Sequence, residues 1–133
     1  MAITRLNPER LHPTAGYAHI TIVDAGRLAV LAGQCPLDRD ARLVGCGDIL
    51  AQVDQVVANA TEALAAAGTR AENVVRSVIY VVSEDPGVLS NVWDRLTGSS
   101  IGPAFTTAST LVGVAALGYR GQLVEVDLTA ALP

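Results

Sequence analysis

Apolar and polar positions along the chain follow periods of two and 3.6, and these mark seven elements in order. Residues 19–23 (His19-Ile20-Thr21-Ile22-Val23) alternate as a strand. Asp24-Ala25-Gly26 reads as a hairpin turn, since Gly26 can take positive φ, and residues 27–32 return as a second strand. A loop rich in Gly, Pro and Asp fills 33–47. Asp48 then stands at an N-cap position, with a side-chain oxygen for the orphan amides of a first turn. Ile49, Val53, Val56, Val57, Ala60 and Leu64 follow as one apolar stripe, and Gly68 suits the left-handed residue beyond a helix end. The spacing predicts a helix over 49–67. Residues 74–82 are β-branched and almost continuously apolar, as in a strand covered on both faces. Asp85 and Pro86 open a shorter helix over 86–96. Strands over 109–115 and 122–130 finish the chain.

The elements predict an α+β fold, and their count carries a further expectation. Two helices cover one face of a sheet of about five strands, because packed layers bury one face each. The other face still carries Val75, Ser77, Ile79 and Val81, or their alternates. A monomer rarely leaves such a patch in water. Either subunits associate through it, with closed symmetry the usual form, or the 33–47 loop lies over it.

Composition narrows the function classes. The 133 residues fit a single domain, 1–133, with one core. The net charge is −4 and all nine cations are Arg, so there is no basic run and no nucleic-acid partner is expected. Without lysine, Schiff-base catalysis and a phosphate-binding P-loop are excluded. Cys35 and Cys46, with His12 and His19, make a poor zinc set and read as two reduced, buried thiols. No apolar run reaches a membrane span of about twenty residues, and Met1 to Arg10 holds no signal-peptide core. These features predict a cytoplasmic protein with no membrane partner.

Candidate chemistry is sparse. Glu125 and Asp127 leave the same face of the last strand, opposite Val124, Val126 and Leu128. They read equally well as a general acid/base pair or as a solvated edge. Tyr17 can donate to a ligand or simply pack, His19 has no evident partner, and Asn91 can bond a ligand or face solvent. No nucleophile elbow, metal motif or dinucleotide fingerprint is present.

Several segments together resemble the Rid/YjgF family. They are Gly33-Gln34-Cys35-Pro36-Leu37-Asp38, Leu43-Val44-Gly45, Asp48-Ile49, then Gln52, Asn59, Leu64 and Ala67-Gly68. Val112-Gly113-Val114-Ala115-Ala116-Leu117 and Leu123-Val124-Glu125-Val126 follow in the same order, with Tyr17-Ala18-His19 and Asn91-Val92-Trp93 in place. The resemblance spans about residues 14 to 130. It implies a mixed sheet with two helices on one face, assembled as a homotrimer with a barrel-like core. Ligand clefts for a small-molecule metabolite would lie between subunits. It implies hydrolysis of enamines or imines such as 2-aminoacrylate, with no cofactor and no metal. The ribonuclease label sometimes given to such proteins fits poorly with an acidic chain lacking lysine and a histidine pair.

Residue by residue, the resemblance makes Tyr17 the site tyrosine and Glu125 the acid that places water or a proton. Asn91 becomes a cleft asparagine, and Gly33 the glycine bordering the ligand. Three positions depart from the pattern. Ser109 stands where the deaminases carry the arginine that clamps a substrate carboxylate. Ala32 replaces a small polar residue, usually serine, and Leu111 replaces a cysteine of some members. A charge-assisted hydrogen bond contributes roughly 1.5–3 kcal/mol. Losing it weakens binding of an α-imino acid about ten- to a hundred-fold or more. Arg27, Arg76 and Arg120 are candidates to replace it, and spacing does not choose among them.

Overall fold

In a computed structural model, which describes residues 2–24 and 26–133, the helix expected after Asp48 forms as α1, Ile49–Ala66. Asp48 Oδ1 accepts the Ala51 N–H at 3.1 Å, and Gly68 takes φ 80° just past the end. Val53, Val56, Ala60 and Leu64 of the predicted stripe are buried, with Ile49 and Val57 at its margin. Full burial of a side chain like Leu64 stabilises by roughly 1.5–3 kcal/mol. The second helix, α2, is Pro86–Thr97, capped by Asp85, whose carboxylate accepts the Gly87 N–H at 2.8 Å.

Six strands are described: β1 (Ala2–Leu6), β2 (Ile20–Asp24), β3 (Leu28–Val30), β4 (Val74–Val82), β5 (Ala108–Val114) and β6 (Val124–Ala131). The main sheet has the order β3-β6-β4-β5, with β4 and β5 parallel and the other pairs antiparallel. A parallel pair needs a crossover, and α2 supplies it. β1 and β2 form a separate antiparallel ribbon.

That ribbon corrects the sequence reading. The expected hairpin would pair the strands on either side of 24–26. Instead β2 pairs with β1, and β3 pairs with β6. Ala25, in the expected turn, lies outside the described residues. Turn chemistry is local, whereas each strand's hydrogen-bonding edge is taken here by a partner from elsewhere. β3 also ends two residues early. Beyond it the chain still follows β6, through Leu31 N–H to Leu128 O at 3.0 Å and Gln34 N–H to Val126 O at 2.7 Å.

Register sorts the sheet's two faces. Ser77, Ser109 and Leu128 align on one face, as do Ile79, Leu111 and Val126. This face packs under α1 and α2 in the core. The opposite face carries Val78, Thr110 and Asp127, then Tyr80, Val112 and Glu125. The alternates, not Ser77, Ile79 and Val81, are therefore the spare set on β4. At the β3 edge of the spare face Leu28 and Val30 are 50% and 76% exposed.

The 33–47 loop is anchored on α1. Asn59 Nδ2 donates to the carbonyls of Cys35 and Leu37 at 2.9 and 2.8 Å, and buried Gln52 donates to Gly45 O and Gly121 O. Gln52 also accepts the Leu123 N–H at 2.8 Å, so its amide is satisfied on both sides. Both thiols are free, as expected, but their burial is not: Cys35 is half-buried and Cys46 exposed. Cys46 sits between two glycines with positive φ. No described helix is long and apolar enough to cross a membrane.

Candidate functional site

The parallel edge strand β5, helix α2 and the segment before β2 enclose a cavity of about 320 Å³. Ala15, Tyr17, Ser90, Trp93, Ser109 and Leu111 line it. Aromatic edges build its wall. Tyr17 and Trp93 meet edge to face with centroids 6.2 Å apart, and Trp93 meets Phe105 in the same way. Trp93 Nε1–H donates to Ala15 O at 3.2 Å, tying α2 to the segment that carries Tyr17. Thr14 Oγ1 donates to Tyr17 O at 2.6 Å, fixing the backbone there.

Ser109 lies on this wall, but its hydroxyl belongs to the chain. It meets Ser77 Oγ across the β4–β5 ladder and also lies within hydrogen-bond distance of Phe105 O and Thr107 O. A hydroxyl has one proton to give. Two carbonyls and a neighbouring hydroxyl compete for it, so Ser109 is a poor donor to a ligand. Among the described residues no arginine lines the cavity, and Arg27, Arg76 and Arg120 are all exposed elsewhere.

Glu125 belongs to a different place. It points from the spare face of β6, opposite the face that carries Ser109 and Leu111, with β4 between them. Its carboxylate rests on Gly33, where an added Cβ would fall 2.7 Å from Glu125 Cδ. The absent side chain lets the carboxylate approach the backbone this closely. Gln122 Nε2 donates to Glu125 Oε1 at 3.1 Å, and the Cys35 thiol donates to the same oxygen, also at 3.1 Å. Burial, then the hydrogen bond to Glu125 and its charge, push the Cys35 thiol up to about 11. It therefore stays protonated, and stays a donor, through the neutral range.

The expected site residues thus divide into two groups on one chain. Tyr17, Ser109 and Leu111 share the cavity. Glu125 and Gly33 share the spare face, with Ala32 exposed beside them on the same stretch. Asn91 is exposed on α2 and does not line the cavity, whereas Ser90, one place earlier, does. Asp127 shares the face of Glu125, one pleat further along β6.

Trp93, Cys35 and Gln122 complete these groups, and periodicity gave no signal for them. His19 also has a partner. Its ring lies 4.6 Å from that of His12, so the chain does hold a histidine pair. The two come together through a non-repetitive loop, where spacing predicts no contact.

The family model described as endoribonuclease L-PSP matches residues 7–132. Protein DfrA of Myxococcus xanthus is 37% identical over 116 residues, covering 86% of this chain and 83% of that protein. Among solved structures, YyfB of Yersinia pestis, a Rid-family protein of unknown function, is 35% identical with a TM-score of 0.89. That match covers 99% of this chain and all of the other. A Mycobacterium tuberculosis member of the YjgF/YER057c/UK114 family is 25% identical, with a TM-score of 0.63 over 98% of this chain and all of the other. With the family model spanning almost its whole length and its fold shared with Rid proteins, this chain belongs to the Rid/YjgF family.

Proposed function

We propose that the protein is a cytoplasmic homotrimer whose clefts hydrolyse or tautomerise a small imine or enamine that lacks a carboxylate. The observation that carries this reading is the engagement of Ser109. At the position where the family resemblance expects an anion clamp, the side chain is tied to Ser77, Phe105 and Thr107, and the cavity wall is uncharged. Apolar Leu28 and Val30 exposed beside Glu125's sheet face favour association through that face. Such packing would bring Glu125 of one subunit toward the Tyr17 cavity of the next. There Glu125 takes a proton from water as it attacks the imine carbon, and Tyr17 donates to the nitrogen where charge develops.

The test uses two imines made in situ, 2-iminopropionate from alanine with an amino-acid oxidase and the benzylamine imine from an amine oxidase. Ammonia release should accelerate over buffer for the second and far less for the first, and Glu125→Gln should abolish the effect. Full activity in that variant, or a preference for the carboxylate-bearing imine, sinks the reading.

A non-catalytic small-molecule-binding trimer is the alternative, favoured by the same occupied Ser109. It predicts no acceleration with either imine, while small molecules still raise the melting temperature. RNA cleavage fits the acidic, lysine-free chain poorly, although the His12–His19 pair removes one objection to it. Cleavage of RNA by nuclease-free protein would overturn both readings.

A further inference from the structure

The N-terminal loop holds a side chain that the cleft reading leaves unused. His12 Nε2 lies 2.9 Å from the Tyr17 hydroxyl. His19 stands edge-on to His12 and donates its Nε2–H to the His12 carbonyl at 2.8 Å. A carbonyl only accepts, so that bond fixes the tautomer of His19 and leaves His12 free to change. Tyr17 itself is held by Trp93 against its ring and Thr14 on its backbone. Its hydroxyl therefore has a set place beside the cavity and a single proton to direct.

His12 decides that direction. With a proton on Nε2, His12 donates to the phenol oxygen, and the Tyr17 O–H is released toward the cavity. With Nε2 bare, Tyr17 must donate to His12, and it offers a ligand only lone pairs. We infer that His12 is the positioning residue and proton partner of Tyr17, making the phenol a donor to the ligand only while His12 carries the Nε2 proton.

This rests on the imine reading of the cleft, and there it completes the addition step. A water O–H bond breaks as its oxygen bonds to the imine carbon, and Glu125 takes that proton. The C=N π pair becomes an N–H bond with the proton passed from Tyr17, which is refilled from His12 Nε2. The product is the carbinolamine. Glu125 and the exposed His12 return to their starting states by exchange with solvent. The titratable groups set against His12 are Tyr17 and His19, and no described carboxylate or guanidinium forms an ion pair with it. Donor strength at Tyr17 should therefore follow the occupancy of the His12 Nε2 proton.

The experiment labels the three tyrosines with ¹³C at Cζ and identifies Tyr17 by its loss in Tyr17→Phe. In the wild-type protein the Tyr17 signal should move with the same midpoint as the His12 ring. It should stop moving in His12→Gln, which keeps an N–H to hold the phenol, and persist in His19→Gln. A flat signal in the wild type, or one that still moves in His12→Gln, overturns the inference. With the benzylamine imine, wild-type kcat should fall across the same pH range. His12→Gln should lose that limb and about 100-fold in kcat at low pH, with KM unchanged. An unaltered profile overturns the inference. Absence of turnover in the wild type sinks the imine reading alone, and the tyrosine signal still decides the coupling.

Discussion

Cys35 and Cys46 differ only in surroundings, and the difference has chemical consequences. Burial and the neighbouring Glu125 carboxylate raise the Cys35 thiol from 9.0 to about 11, while Cys46 is exposed on a turn between glycines. The thiolate is the nucleophile, so Cys35 presents roughly 100-fold less of it than an unshifted thiol. Iodoacetamide at pH 8, followed by peptide mass spectrometry, should modify Cys46 well before Cys35. Equal rates would mean that the Cys35–Glu125 contact does not persist in solution. The sign of the linked stability follows. Below pH 9 both folded and unfolded thiols are protonated and the contribution is whole. Between about 9 and 11 only the unfolded thiol ionises, so stability falls as pH rises. Gly33→Ala tests the same cluster from the backbone side. The new Cβ would push the flexible end of Glu125 off its seat, moving the carboxylate at small cost to stability. Under the proposed mechanism kcat should fall. A Gly33→Ala protein with full turnover would show that Glu125 needs no such seat.

At the scale of elements, α1 was legible because its signals agree. A capping carboxylate, an apolar stripe and a terminal glycine all point to one helix, and each does in the fold what its chemistry predicts. Asp48→Ala leaves the Ala51 amide without its partner and should cost about 1 kcal/mol in denaturant unfolding. A loss near zero would assign the helix start to tertiary packing instead. β4 was legible from its β-branched run, and its half-buried alternates were legible in kind, but only the ladder with β5 and β6 says which residues they are. β1 escaped notice because Ala2-Ile3-Thr4-Arg5-Leu6 carries no clean period and gains its structure from pairing with β2. The hairpin at 24–26 failed for the converse reason, since a good turn sequence does not choose strand partners. The site shows the same divide. Resemblance placed Tyr17, Glu125 and Ser109. That Ser77 lies opposite Ser109, and that His12 reaches Tyr17, depends on strand register and loop path, which no local pattern encodes.

At the scale of the molecule, the division of the site between two sheet faces has a consequence that can be counted. Tyr17 opens onto the cavity under α2, and Glu125 projects from the spare face, so one chain does not bring them together. If clefts form between neighbours around a three-fold axis, each takes Tyr17 from one subunit and Glu125 from the next. A Tyr17→Phe chain and a Glu125→Gln chain are each inactive alone under the proposed mechanism. Unfolded together in equal amounts and refolded, they form mixed trimers. A cleft is then intact when the Glu125→Gln chain supplies Tyr17 and its neighbour supplies Glu125. Random assortment makes about one quarter of clefts whole, by closed cyclic symmetry. Turnover of the benzylamine imine should rise from near zero to about a quarter of the wild-type value. Refolding the two variants separately and then combining them briefly should give none. If both residues served the same cleft from one chain, every cleft would carry a lesion and mixing would restore nothing. The ratio therefore reads the architecture of the site directly, because neither substitution alters the exposed apolar edge at Leu28 and Val30, through which the subunits would meet.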